Sequence, residues 1–188
     1  MKTIAIGEGH NTPQDMGFEY NPQKDDWLIE FCENLKILPY VIEYLYKWDY
    51  RVEDFSGHLI REKIPFINTS KADFSVEIHH NANNSEKFRG AEVIYHPKSI
   101  QGKKAAQVMI DAIKKEGFEI RGIFEGWWRY NPKSNKYYAF TSKLWKPSVI
   151  VECAYFTNQT DRNVISYFDY PHDMGLAIAK GIKNYVEN

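Results

Sequence analysis

Cysteine is scarce: the 188-residue chain has two, Cys32 and Cys153. Two cannot make a disulfide framework or a thiolate zinc cluster, and they read as buried free thiols acting as small hydrophobes. No apolar run approaches the roughly 20 residues that a membrane-spanning helix needs. The opening stretch MKTIAIGEGH has one Lys and a short apolar run broken by Gly7 and Glu8, too little for a secretory leader. Charge of neither sign dominates. The formal net charge is -1, and no cluster of Lys and Arg marks a nucleic-acid footprint. Internal repeats and low-complexity tracts are missing as well. The expectation is a soluble monomer made in the cytoplasm, with no nucleic-acid partner and no membrane insertion. If it acts outside a cell, another agent must release it.

What is present builds a core. Hydrophobic residues make up 43% and aromatics 15%, which suits one folded domain spanning 1–188. Strand and helix patterns alternate. KTIAI (2–6) reads as a buried strand. Residues 25–48 read as a helix, with Asp25 or Asp26 as N-cap and an apolar stripe of Leu28, Phe31, Leu35, Leu38, Ile42 and Leu45. Pro39 should kink or split it. YRVED (50–54) is a second strand. IREKIPFINTS is helical in its first half at best, because Pro65 interrupts it. ADFSVEIHH (72–80) and GAEVIYHP (90–97) are strands, 99–117 a helix ending at Gly117, 147–156 a core strand and 173–187 a closing helix. The fold class is α/β: a single domain with a mixed, mainly parallel twisted sheet flanked by helices on both faces. EGWWRYNPKSNKYYAF (125–140) reads as an aromatic hairpin around an Asn-Pro-Lys-Ser-Asn turn.

In such a sheet, ligands sit at the carboxyl ends of strands. Three strand ends deliver polar groups. GEGHN brings His10, HHNANN brings His79 and His80, and the strand at 148–151 ends in Glu152. Strand alternation lets only one of the adjacent histidines face a site. Glu152 directly follows apolar VIV, and a buried carboxylate needs a charge partner, either a cation or a Lys or Arg. Two imidazoles and a carboxylate suit zinc, with a second carboxylate as base. Glu77, two residues before His79, shares its strand face and is a candidate for orienting it.

The stretches IAIGEGHNTPQDMG, ADFSVEIHHNA, RGAEVIYH and KPSVIVECAYFTNQTD together resemble the zinc-dependent N-acetylmuramoyl-L-alanine amidases of the amidase-3 type, phage endolysin catalytic domains included. The resemblance covers the whole chain in order. It implies one Zn²⁺ ion held by His10, Glu30 and His79, with a fourth position left open, and Glu152 as the catalytic carboxylate. His79 is the ligand of the pair because it precedes x-Asn. The helix offers Glu30 and Glu33. The family's ligand lies about five turns, roughly 18 residues, before the turn into the next strand, and counting back from Asp49 and Tyr50 reaches Glu30. Asn158 and Asp161 match a trailing Asn-x-x-Asp that reads as loop structure.

Two departures stand out. Gly7-Glu8-Gly9-His10-Asn11 replaces Asp-Pro-Gly-His-Gly-Gly, and the segment between Arg121-Gly122 and Lys146-Pro147 is longer than in minimal members. The implied reaction is hydrolysis of the amide between the lactyl group of N-acetylmuramic acid and the stem-peptide L-alanine, with peptidoglycan as the partner. Candidate substrate contacts are Asn81, Arg121 and Trp128, the last as part of an aromatic wall with Trp127, Tyr130, Tyr137 and Tyr138. Such a hairpin could equally pack its aromatic faces on itself. A phage lysis enzyme released through a membrane lesion fits the lack of a leader. The competing readings are a zinc peptidase or amidase acting on another amide, and a metal-free wall-binding domain.

Overall fold

Runs of buried residues on the central strands decide the architecture. A computed structural model of the chain describes residues 1–10, 15–20, 28–127, 132–134 and 136–188. Its main sheet contains β1 (Thr3–Glu8), β4 (Arg51–Asp54), β5 (Phe74–Asn81), β6 (Ala91–Tyr95), β7 (Ile120–Glu125) and β8 (Ser148–Tyr155). The strand order is β4-β1-β5-β8-β6-β7. Every neighbouring pair is parallel except β6 with β8. A small antiparallel ribbon, β2 (Glu19–Tyr20) with β3 (Leu28–Ile29), stands apart from it.

Both faces are covered, so the central strands are apolar on both sides. Ile4, Ile6, Val76, Ile78, Val149 and Val151 point into the larger core. There they meet α1 (Glu30–Lys47), α3 (Ile100–Lys115) and α6 (Tyr170–Val186). The intervening Ala5, Ile94 and Ile150 turn to a smaller core with Phe55, Ile67, Phe140 and Leu144. That face is roofed by α2 (Ile60–Thr69) and α4 (Ala139–Lys143). The period of two thus sorts each strand's side chains between two helical layers.

Several sequence expectations are corrected. The first helix starts at Glu30, not near residue 25; Asp25 and Asp26 lie outside the described residues. No side chain caps it. Instead its first free N–H groups find backbone oxygens, Glu30 N–H donating to the Phe18 carbonyl at 3.0 Å and Phe31 N–H to that of Met16 at 3.2 Å. Neither internal proline ends its helix. Pro39 sits inside α1 and Pro65 inside α2. The carbonyls they leave without an i+4 donor belong to Leu35 and Arg61, both exposed residues, where solvent can replace the missing donor.

Ile120–Glu125 is an edge strand that the reading left unassigned. Asn158 caps a short helix, α5 (Gln159–Ile165), accepting from Thr160 and Asp161 N–H. Asp161 in turn accepts Gly90 N–H and Tyr155 N–H, each at 2.8 Å, so both residues shape the loop. Of the aromatic hairpin, one antiparallel bridge joins Trp127 to Tyr137, whose rings lie 4.6 Å apart. Trp128 and Tyr130 lie outside the described residues.

Candidate metal and catalytic site

The carboxyl ends of β1, β5 and β8 open onto a cavity of about 530 Å³. Its lining includes His10, Glu30, Glu77, His79, Asn81 and Glu152. His10 arrives on a turn just past β1. Gly9 N–H donates to the Ile78 carbonyl at 2.7 Å, and Asn34 Nδ2 donates to the Gly9 carbonyl at 3.2 Å. A Cβ at position 9 would stand 1.9 Å from His79 Cε1, so only glycine fits. His10 then adopts φ 53°, a left-handed backbone that costs a non-glycine residue about 1–2 kcal/mol.

Glu30 is the first residue of α1 and is buried. Its Oε1 accepts from His79 Nδ1 at 2.9 Å and from His80 N–H at 3.2 Å. Its Oε2 accepts Phe18 N–H at 2.9 Å and lies 3.5 Å from His10 Nε2. Gly17 makes room for this carboxylate: it sits at φ +73°, and a Cβ there would meet Glu30 Oε2 at 2.5 Å. Glu33, the other candidate on the helix, pairs with Lys36 at 2.7 Å instead.

Each imidazole turns one nitrogen to Glu30 and the other to an outer carboxylate. For His10 that is Asp15, 2.6 Å from Nδ1. For His79 it is Glu77, 3.2 Å from Nε2. Lys63, buried under the cavity, donates to Glu77 at 2.8 Å and to the Glu8 carbonyl at 2.6 Å. Glu77 is therefore buried and paired rather than an exposed strand residue. Ligand atoms of His10, Glu30 and His79 all lie within 4.8 Å of one another. Two imidazole nitrogens and one carboxylate oxygen, each oriented from behind, are a donor set suited to zinc.

Glu152 lies opposite His79 across the β5–β8 pair and opposite Glu92 across β8–β6. It is 9% exposed, and its Oε2 is buried with no hydrogen-bond partner among the described residues. No Lys or Arg forms an ion pair with it among the described residues. Burial pushes its carboxyl up to about 8; His79's positive charge opposes this, while Glu30, Glu92 and Glu77 add to it. Burial works against Glu77 too, but the hydrogen bond and charge of His79, then Lys63, draw it down to about 2. For Glu30, the His79 and His10 interactions outweigh burial and lower it. Burial disfavours His79's charge, yet the flanking Glu30 and Glu77 carboxylates hold it well above the usual imidazole range. In the metal-free protein, a proton on His79 Nδ1 thus bridges to Glu30, and a cation bound there would displace it.

The remaining candidates fare differently. Asn81 lines the cavity and donates to Glu92 at 3.3 Å. Arg121 is held by Glu92 and by the Tyr155 hydroxyl, between the rings of Phe88 and Phe124. It ties β6, β7 and β8 together and does not line the cavity. Asp15 and Lys63 went unnoticed in the sequence, since a loop acid and a helical Lys carry no pattern of their own.

A family model described as N-acetylmuramoyl-L-alanine amidase (Amidase_3) matches residues 4–184. The chain belongs to that family. A curated relative of this amidase-family chain, the germination-specific N-acetylmuramoyl-L-alanine amidase of Bacillus subtilis (strain 168), is 26% identical over 126 residues. The match covers 67% of this chain and 50% of the relative, so the chain aligns with about half the relative's length. Two solved amidases share the fold. The N-acetylmuramoyl-L-alanine amidase from Clostridium difficile 630 has a TM-score of 0.86 at 24% identity, covering 100% of this chain and 97% of that one. The catalytic domain of CwlV from Bacillus (Paenibacillus) polymyxa var. colistinus has a TM-score of 0.84 at 23% identity, covering 100% and 99%.

Proposed function

We propose that this chain is a zinc-dependent N-acetylmuramoyl-L-alanine amidase that cleaves the amide between the lactyl group of N-acetylmuramic acid and the L-alanine of the stem peptide. One observation carries the reading. The side chains of His10, Glu30 and His79 converge in a cavity beneath a buried carboxylate, Glu152, that has an oxygen without a partner. Residue types, burial and outer hydrogen bonds there suit a hydrolytic zinc site, and membership of the amidase family supplies the substrate class.

His10, Glu30 and His79 would hold the ion, which supplies Lewis acidity toward the scissile carbonyl and toward the oxyanion that forms from it. Asp15 and Glu77 keep the two imidazoles in the ring orientation and tautomer that present the correct nitrogen. Glu152 accepts the proton of the attacking water and returns it to the departing alanine nitrogen. Phe18, Ile60, Tyr138 and Phe140 form an apolar wall of the cavity, which shields the reacting amide from water. Asn81, at the cavity edge, supplies a polar contact to the substrate.

The reading extends to a monomeric enzyme acting in phage-type wall lysis. Digestion of purified muropeptides with mass spectrometry of the products, alongside elemental analysis for zinc, tests the chemistry. Free stem peptides beginning at L-alanine support it. Cleavage inside the peptide would make the chain a peptidase, and wall binding without any product would make it a binder. Light scattering tests the monomer, and complementation of a lysis-defective phage tests the biological role.

A further inference from the structure

His80 gives its backbone N–H to Glu30, but its imidazole is the one of the adjacent pair that does not face the site. Strand alternation sends it to the opposite face of β5, where it is 2% exposed. Its Nδ1 lies 2.8 Å from Asn34 Oδ1 and its Nε2 lies 2.8 Å from the Tyr170 hydroxyl. Its ring stacks on Phe156, with centroids 5.0 Å apart. Asn34 is fully buried on α1, and its amide nitrogen donates to the Gly9 carbonyl at 3.2 Å. The contacts therefore run without a break from α6 through β5 and α1 to the turn after β1.

Their directions can be derived. The Gly9 carbonyl can only accept, so it takes the Asn34 NH₂ and leaves Oδ1 to face His80. Oδ1 can only accept as well, which makes His80 Nδ1 the protonated nitrogen. Nε2 then has a lone pair, and the Tyr170 hydroxyl donates to it. For a neutral imidazole, these contacts fit one tautomer only.

We propose that Tyr170, His80 and Asn34 act as a positioning strut for His10. The Gly9 carbonyl belongs to the peptide that joins Gly9 to His10. Fixing that carbonyl fixes the peptide plane, and with it the φ of His10, which is held at 53° in the left-handed region. Gly9 N–H, bound to the Ile78 carbonyl, anchors the other side of the same turn. Without the Asn34 contact, the strained φ of His10 would be free to relax, and the imidazole would leave its place beside Glu30. The strut thus converts packing between α1 and α6, remote from the cavity, into the placement of one ligand. For the identity of the metal alone, this inference rests on the amidase reading.

Two measurements on the metal-free protein address the strut itself. Nitrogen NMR of histidine-labelled protein near pH 7 should show His80 neutral with its proton on Nδ1; a proton on Nε2 overturns the proposal. Amide exchange at Gly9, whose N–H donates to the Ile78 carbonyl at 2.7 Å, should accelerate at least tenfold in Asn34→Leu and less in Tyr170→Phe, and unchanged exchange in either overturns it. A third measurement, zinc affinity by chelator competition, should show a loss of about 10-fold or more for Asn34→Leu. Unchanged affinity in a folded variant also counts against the strut. If Asn34→Leu does not fold, Tyr170→Phe and the His80 tautomer decide the matter. If the native chain binds no zinc at all, the amidase reading fails, while the tautomer and exchange results still judge the strut.

Discussion

Glu152→Gln separates chemistry from stability within one side chain. The native carboxyl is held at about 8 in the metal-free fold, against an ordinary 4.5. Below pH 4.5 the group is neutral in both folded and unfolded chains. As pH rises, the unfolded chain releases the proton first, so folding loses about 1.4 kcal/mol per pH unit until pH 8. The cumulative loss is about 3 kcal/mol at pH 7 and about 5 kcal/mol above pH 8. Glutamine keeps the shape and has no proton to lose. The metal-free variant should therefore match the native protein in urea at pH 4.5 and exceed it by about 3 kcal/mol at pH 7. Other titrating groups largely cancel in the difference between the two proteins. Loaded with zinc, the same variant should retain its metal yet lose 10²–10⁴-fold or more in muropeptide turnover, the range expected for a general base. Equal stability at pH 7 would show that Glu152 is not held neutral. Near-normal turnover would remove it from the mechanism.

Further outcomes follow from the same geometry. His80, held down to about 3 by burial, must enter the fold neutral, so it supports folding above pH 6.5 and that support is lost on acidification. Native protein should lose about 2 kcal/mol more than His80→Gln between pH 7 and pH 5 in urea titrations, and parallel curves would refute this. Zinc must displace the proton of His79, so affinity by chelator competition should climb about tenfold per pH unit while that imidazole is charged; a flat profile would exclude the displacement. His10→Ala should purify with little zinc by elemental analysis, and full occupancy would count against it as a ligand. Lys63→Met removes one of two buried cations beside Glu77, His79 being the other, and should lower unfolding free energy by about 1–3 kcal/mol, which urea melts at pH 7 will test.

Much of the frame was legible because burial leaves a periodic trace. The apolar runs at 2–6, 74–78 and 148–151 became adjacent parallel strands, and polar groups after them became the rim of the cavity. Glu152 stood out since a carboxylate seldom follows three buried β-branched residues without a chemical reason. Alternation along β5 correctly sent one histidine of the pair to each face. Where local rules misled, tertiary contacts had overridden them. Pro65 sits inside a helix, and the carbonyl it orphans belongs to the exposed Arg61. The first helix starts at Glu30 because the Met16–Phe18 backbone, rather than a capping side chain, accepts its first N–H groups.

Sequence alone determined the residue types at strand ends, the helix that carries Glu30 and the fold class, all local or periodic properties of the chain. Only the tertiary structure decided that Asp15 and Glu77 back the two imidazoles, that Lys63 lies beneath the cavity, and that Arg121 braces strands away from it. Those are pairings between side chains up to tens of residues apart. Their partners are set by sheet order and helix placement, which no local pattern encodes.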